Sequence, residues 1–369
     1  MSKTTSAIVV LFSVVFLVGV VAGRGPHVIN FRSENLFPES FVWDPRSQHF
    51  VVGSLRYPKL VSVSDAGVSE TLISDASLPA DSKILGIALD RRHYRVLAVV
   101  HRPAPEPFNA LAAYDLISLR RIFLTPLIDD EEEDDRNPNP NPSQSVANDV
   151  ATDFSGNAYV TNSGRDLIWK VNFDGEASVL SRSKAFKSYP VDAAADYHKC
   201  GLNGVVYISK GYLLAVQSNT GKLFKVDVEH GGARTVLLNK DLTAADGIAV
   251  RRDGVVVAVS HRKLYFLKSQ DSWMEGVVFD ETALEEDRFA SAVTVGNLDR
   301  VYVLYGHINE GIMVNAERDE FGIMEIESEN EKSEDNVWIF VLIGLGLAYF
   351  MFWRFQMRHL VDSLNKKRL

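Results

Sequence analysis

The sequence predicts an all-β fold, a six-bladed β-propeller, preceded by an N-terminal signal segment and followed by a C-terminal transmembrane helix. Three observations carry this. One strand–turn–strand unit recurs along the chain; strand-like alternation dominates, with little helical periodicity; and a single uncharged run sits near the carboxyl end.

The unit is plainest at Ala147–Gly156, ANDVATDFSG, which leads directly into NAYVTNS: a short apolar strand, a turn closed by Gly, then a second strand. It returns as ESFVWDPRSQ before HFVVGS, LGIALDRRHY before RVLAVV, and NGVVYISK before GYLLAVQS. Two further copies are DGIAVRRDG before VVVAVS and SAVTVGN before LDRVYVLY. The copies begin roughly 43 to 63 residues apart, the period of propeller blades rather than of helical repeats. Further strands follow in each unit. Leu167–Phe173 with Ala177–Leu180 and Lys222–Val228 with Arg234–Leu238 are two such pairs, turning at Asp174-Gly175 and Gly231-Gly232.

Aligned, the six copies place Glu39, Leu85, Asn148, Asn203, Asp246 and Ser291 at one equivalent position. The innermost strand of every blade lines the central channel, so these residues are expected to form a ring about one axis. Four of them carry a side-chain carbonyl or carboxylate oxygen at the head of strands otherwise built of Val, Ile and Ala. Asn and Asp are disfavoured in strands, so their presence calls for a reason: a convergent polar site, or Asx turns ahead of each strand.

The flanks are of a different character. Residues 1–23 have Lys3, an apolar stretch Ala7–Val21 and the small-residue sequence Val21-Ala22-Gly23, as in a secretory signal peptide; an uncleaved signal anchor is the competing reading. The propeller is assigned to residues 24–328 and an acidic linker to 329–336. Val337–Trp353 holds no charge, and at 1.5 Å per residue it would span about 25 Å, close to a thin bilayer core. Acidic residues precede it. Arg354, Arg358, Lys366, Lys367 and Arg368 follow in the tail 354–369, which orients the tail to the cytosol and the propeller to a lumen or the exterior. Lys366 and Lys367 resemble a dilysine signal, an address read by a coat-protein receptor; it implies the endoplasmic-reticulum membrane, with the plasma membrane or another secretory membrane as alternatives. The run 129–135, DDEEEDD, continues into RNPNPNPSQ and reads as an inserted solvated loop.

The 369 residues are 46% hydrophobic with a formal net charge of −9, enough for a core and too acidic for a nucleic-acid partner. The single cysteine, Cys200, excludes an intrachain disulfide and reads as a buried, inert thiol. No cysteine set or paired histidine is placed for zinc or copper.

Glu39 in ESFVWDP, Asn148-Asp149, Asn203-Gly204 and Asp246-Gly247, in that order at blade spacing, resemble the calcium-dependent phosphotriesterase superfamily of regucalcin/gluconolactonase, paraoxonase and strictosidine synthase-like propellers. The likeness covers residues 30 to 325. It implies that Glu39, Asn148, Asn203 and Asp246 hold a catalytic Ca²⁺, which takes hard oxygen ligands in a tolerant geometry. It further implies hydrolysis of a small lactone, ester or organophosphate, with Asp246 as base or nucleophile and Glu39 as ligand only. Leu85, His101 and Ser291 are the expected substrate contacts. The chain departs from the paraoxonase pattern at Leu85-Gly86, where those proteins carry His-Gly, so His101 lacks its partner. Two alternatives stand beside the hydrolase: a non-catalytic propeller that uses the ion structurally and binds a protein or polysaccharide, and a strictosidine synthase-like condensing enzyme.

Overall fold

The computed structural model describes residues 26–129, 145–187 and 191–366, with the side chains at 196, 332–340, 365 and 366 left out. The expected signal segment 1–23, the acidic run after Asp129, the Lys366 side chain and Lys367 lie outside the described residues.

Alternation of apolar residues has produced six antiparallel sheets arranged as blades. In the first, Phe41–Asp44, His49–Val52, Lys59–Ser64 and Ser69–Ser74 follow one another from the axis outward. The inner strands of the other five blades are Lys83–Asp90, Ala147–Thr152, Leu202–Ile208, Ala245–Val250 and Ala290–Val295. The last blade is completed by the start of the described chain: Val28–Arg32 pairs with Glu320–Ile326 as its outermost strand. That closure ties the two ends of the propeller together and leaves no open seam. One expected strand differs. Arg234–Leu238 splits into Ala233–Thr235, which edges the fourth blade, and Leu237–Leu238, which crosses to pair in parallel with Glu275–Gly276 of the fifth.

The first hairpins of the first, third and fifth blades show why these residues turn where they do. Asp44 accepts from the Arg46 N–H at 2.9 Å, Asp153 from the Ser155 N–H at 2.8 Å, and Asp253 from the Val255 N–H at 3.1 Å. These are Asx turns. In the third and fifth blades the closing Gly156 and Gly254 have φ of +84° and +88°, which glycine adopts without a Cβ penalty.

Apolar side chains fill the spaces between neighbouring blades. Val51, Leu60 and Ile73 of the first blade meet Ile84, Val96 and Ala112 of the second in one buried cluster. A buried ion pair fastens the second blade to the third. Arg95 donates to Asp90 at 3.0 Å and to the carbonyl oxygens of Phe173 at 3.0 Å and Gly156 at 2.6 Å. With every guanidinium nitrogen placed on an oxygen, the burial cost of this charge is offset.

A helix, α1 (Glu329–Lys366), leaves the last blade. Ser328 caps it, accepting from the Glu331 N–H at 3.2 Å while donating to Asp280 at 2.5 Å. Glu331 accepts from Arg251 at 2.7 Å, which holds the first turn against the fifth blade. The expected span 337–353 falls within α1, yet among the described residues no helix is long and apolar enough to cross a membrane. Between 341 and 353, where its side chains are described, α1 is apolar up to Arg354. Its large side chains are exposed, Leu342 at 66% and Phe352 at 59%.

Candidate functional site

Five of the six inner strands are interrupted at the ring position. Pairing to the second strand slips between Ile84 and Ile87, Ala147 and Val150, Leu202 and Val205, Ala245 and Ile248, and Ala290 and Ala292. Each slip is a bulge, and a bulge re-aims a side chain out of the strand's alternation. This is why polar residues that strands disfavour stand here: the backbone has stopped behaving as a regular strand.

The bulges bring the chain segments into contact around the axis. A Cβ on Gly86 would lie 2.5 Å from Asp149 Cα, one on Gly204 would lie 2.3 Å from the Asp246 carbonyl oxygen, and one on Gly247 would lie 3.2 Å from Ala292 Cα. Ile87 N–H donates to Ser40 Oγ at 3.2 Å and Val205 N–H to Asp149 Oδ2 at 2.9 Å. The residue after each ring position must therefore be small. It is Ser40, Gly86, Gly204, Gly247 and Ala292 in five blades, but Asp149 in the third.

The two ring amides are held by one device used twice. Fifteen residues after Asn148, Ser163 Oγ donates to the Leu202 carbonyl at 2.8 Å, so it can only accept from Asn148 Nδ2, at 2.7 Å. Fifteen residues after Asn203, Ser218 Oγ donates to the Ala245 carbonyl at 2.7 Å and accepts from Asn203 Nδ2 at 3.0 Å. Both amides are thus turned with nitrogen outward, and Asn148 Oδ1 is buried with no hydrogen-bond partner. Glu39 Oε2 and Ser291 Oγ are likewise buried and unpartnered. Leaving such atoms unpaired costs about 1–3 kcal/mol each, more for a charged one, so a partner for these oxygens is implied.

Electrostatics gives the partner its sign. Burial first, then Asp246 and Asp149, push the Glu39 carboxyl well above its ordinary range. Asp149 is pushed up to about 7, chiefly by burial and further by Asp246, although the N–H groups of Val205 and Val150 pull the other way. Burial, with Asp246 next, pushes the Cys200 thiol up to about 11, which keeps it protonated at neutral pH. Three carboxylates that raise one another's proton affinity, Asp246 buried and Glu39 and Asp149 half-buried, favour a proton or a cation nearby. The donors are hard oxygens and the one thiol is not ionised, which suits Ca²⁺ and not a thiolate-bound metal. Among the described residues no group of three His, Cys, Asp or Glu side chains is placed to hold a metal by itself, so any such site needs the Asn oxygens.

Glu39, Asp149, Asn203, Asp246 and Ser291 form one end of a cavity of about 950 Å³. Asn148 stands in the same ring, 8% exposed. Leu85 instead belongs to the apolar core, and His101 pairs its Nδ1 with Asn109 Oδ1 at 2.9 Å; neither lines the cavity. Burial lowers the His101 imidazole below its ordinary range, against the Asn109 hydrogen bond. Sequence reasoning missed two residues, Asp149 and His261. His261 Nε2 lies 3.7 Å from Asp246 Oδ2, with its ring against Phe289 at 3.8 Å between centroids. It occupies the register that Ser163 and Ser218 occupy in the two preceding blades, fifteen residues past the ring position.

No family model matches the chain, and no curated protein matches it significantly. Solved structures share the fold. The major allergen Mala s 1 of Malassezia sympodialis superposes with a TM-score of 0.67 at 16% identity, over 82% of this chain and 97% of that one. This chain has the six-bladed propeller fold. The gluconolactonase XC5397 of Xanthomonas campestris matches with a TM-score of 0.51 at 13% identity, over 82% and 90% of the two chains. The PQQ-bound aldose sugar dehydrogenase of Streptomyces coelicolor gives 0.51 at 14%, over 83% and 99%. An allergen, a lactonase and a dehydrogenase on one scaffold show that the site, not the fold, must choose the chemistry.

Proposed function

We propose that this propeller is a Ca²⁺-dependent hydrolase of a lactone, ester or organophosphate. The observation that carries the reading is the pair of unpartnered, buried oxygens on Glu39 and Asn148, in one ring with Asp246 and Asn203, at a position where Glu39, Asn203 and Asp246 line an open cavity. Glu39, Asn148, Asn203 and Asp246 would hold the ion, which when bound would polarise the carbonyl or phosphoryl oxygen of the substrate. Two carboxylates balance its charge, and two neutral amide oxygens complete part of its shell while leaving positions for water or substrate.

Asp246 is the reacting carboxylate: as base it takes the proton from attacking water, and as nucleophile it adds to the carbonyl, expels the alkoxide and is released when water hydrolyses the resulting anhydride. In either case the proton given up by water passes by way of His261, 3.7 Å from Asp246 Oδ2, to the alkoxide or to solvent. Ser163 and Ser218 act through the amides, keeping their oxygens turned inward.

Location belongs to the same reading. The large apolar side chains that α1 exposes, Leu342 and Phe352 among them, favour contact with a bilayer; a crossing there, as the sequence reads, would place the propeller in the lumen of the endoplasmic reticulum, with Lys366 and Lys367 on the cytosolic side. The full chain, purified with calcium, should hydrolyse members of a lactone and aryl-ester panel, and chelation or Asp246→Asn should abolish turnover. Activity unchanged in Asp246→Asn would remove the mechanism.

A further inference from the structure

The cavity that begins at the ring runs the length of the inner strands and opens among the first hairpin turns, which supply Arg91, Phe154, Lys210, Arg252 and Asp253 to its lining. Its two ends differ in charge. The ring end carries Glu39, Asp149 and Asp246, whereas the mouth carries Arg91, Lys210, Arg251, Arg252 and Lys268 against the single carboxylate Asp253. This collar sits on a chain whose formal net charge is −9, so the local excess of cations is against the overall balance. Between the ends the lining is apolar, including Ile87, Val150, Val205, Ile248 and Val293.

The collar cations are not equivalent. Arg251 meets Asp253 and Glu331, Lys268 lies 3.9 Å from Glu331, and Arg252 lies 3.1 Å from Asp299. Glu331 belongs to the first turn of α1, so docking of the helix neutralises one side of the mouth. Arg91 and Lys210 are exposed and, among the described residues, meet no carboxylate; Lys210 reaches only the Ser272 hydroxyl, at 3.3 Å. Two cations that meet no carboxylate among the described residues thus stand at the rim of the shaft, one in the second blade and one in the fourth, where an anion is favoured.

We propose that the channel binds an elongated anionic amphiphile, its acidic group at the cationic collar that Arg91 and Lys210 leave uncompensated, its apolar segment along the inner strands, and an ester or lactone oxygen at the ring. From Asn203 to Lys210 the inner strand and its turn cover roughly 20 Å at 3.3 Å per residue, and the two cationic side chains reach back over part of it. The ligand class is therefore a long-chain molecule with an acidic terminus and a hydrolysable group at the far end. This inference rests on the hydrolase reading for the identity of that far group only; charge, apolarity and length come from the cavity.

The test is equilibrium binding to the full chain in zwitterionic nanodiscs, with empty nanodiscs as blank. The probe is monomethyl dodecanedioate; its uncharged comparator is methyl hydroxydodecanoate bearing the hydroxyl at the chain end. The monoanion should bind about tenfold more tightly, the preference should shrink with added salt, and it should vanish in the Arg91→Ala/Lys210→Ala double variant. Equal binding of the two probes, no binding of either, or a charge preference that survives the double variant would overturn the proposal. Tight binding of the monoanion without cleavage of its ester would instead defeat the hydrolase reading and leave this one standing.

Discussion

Asp149 is the residue whose replacement says most about the ring. It is a half-buried carboxylate where the other blades place glycine, alanine or serine, and its pKa is pushed up to about 7 from 3.8. The folded chain therefore holds a proton there that the unfolded chain releases near pH 4, and stability falls as pH rises from about 4 to about 7. Roughly three pKa units correspond to about 4 kcal/mol, an upper figure that applies without a bound cation. Asp149→Asn removes the charge yet keeps an oxygen to accept the Val205 N–H, bonded at 2.9 Å in the parent. In chelator at pH 8 the variant should melt higher than the parent, on the order of 8 °C for a domain of this size, and at pH 4 the two should nearly coincide. Calcium should raise the parent's melting temperature more at pH 8 than at pH 4, because the ion replaces the proton. Thermal unfolding of both proteins at the two pH values, with and without calcium, reads all of this. A variant no more stable than the parent at pH 8 would refute the picture of uncompensated carboxylates.

Two further substitutions probe how the ring is built. Ser163→Ala leaves the Leu202 carbonyl and the Asn148 amide without their bonds of 2.8 and 2.7 Å; it should cost about 1–3 kcal/mol in denaturant unfolding and weaken calcium binding. Gly204→Ala would put a Cβ 2.3 Å from the Asp246 carbonyl oxygen and should cost a similar amount, about 1–3 kcal/mol, while displacing the reacting carboxylate. Gly232→Ala meets nothing within 4 Å and should change stability little, which makes it the control for a bare glycine effect.

The fold was legible because the propeller repeats its chemistry. Alternating Val, Ile and Ala mark the strands, and the Asp-turn-Gly sequences mark the hairpins that Asp153 and Gly156 typify. The ring was legible for a related reason: oxygens on Asn148, Asn203 and Asp246 are out of place in strands, and the bulges that excuse them recur at one position per blade. Leu85, occupying the same position, joins the apolar core instead, since equivalence in register does not guarantee exposure to the channel. His101 follows an apolar strand as expected, but Asn109 holds it within its own blade.

What escaped was the residue beside each ring position and the one fifteen places on. Asp149 read as half of a dipeptide, although it alone among six equivalents carries a charge. His261, just past the strand VVVAVS, drew no reading, although its register matches Ser163 and Ser218. Both signals lie in the comparison between blades and not in any local motif. The crossing of Leu237–Leu238 to the fifth blade was invisible for the opposite reason, because a two-residue parallel pairing has no periodicity to read.

The central claim is that four side chains from separate blades share one cation. Calorimetric titration of calcium into the chelator-stripped full chain addresses it most directly. A saturable single-site heat is expected, and it should be lost in Glu39→Gln, whose side chain keeps its shape but not its charge. Absence of binding in the parent, or the same isotherm in Glu39→Gln, would contradict it.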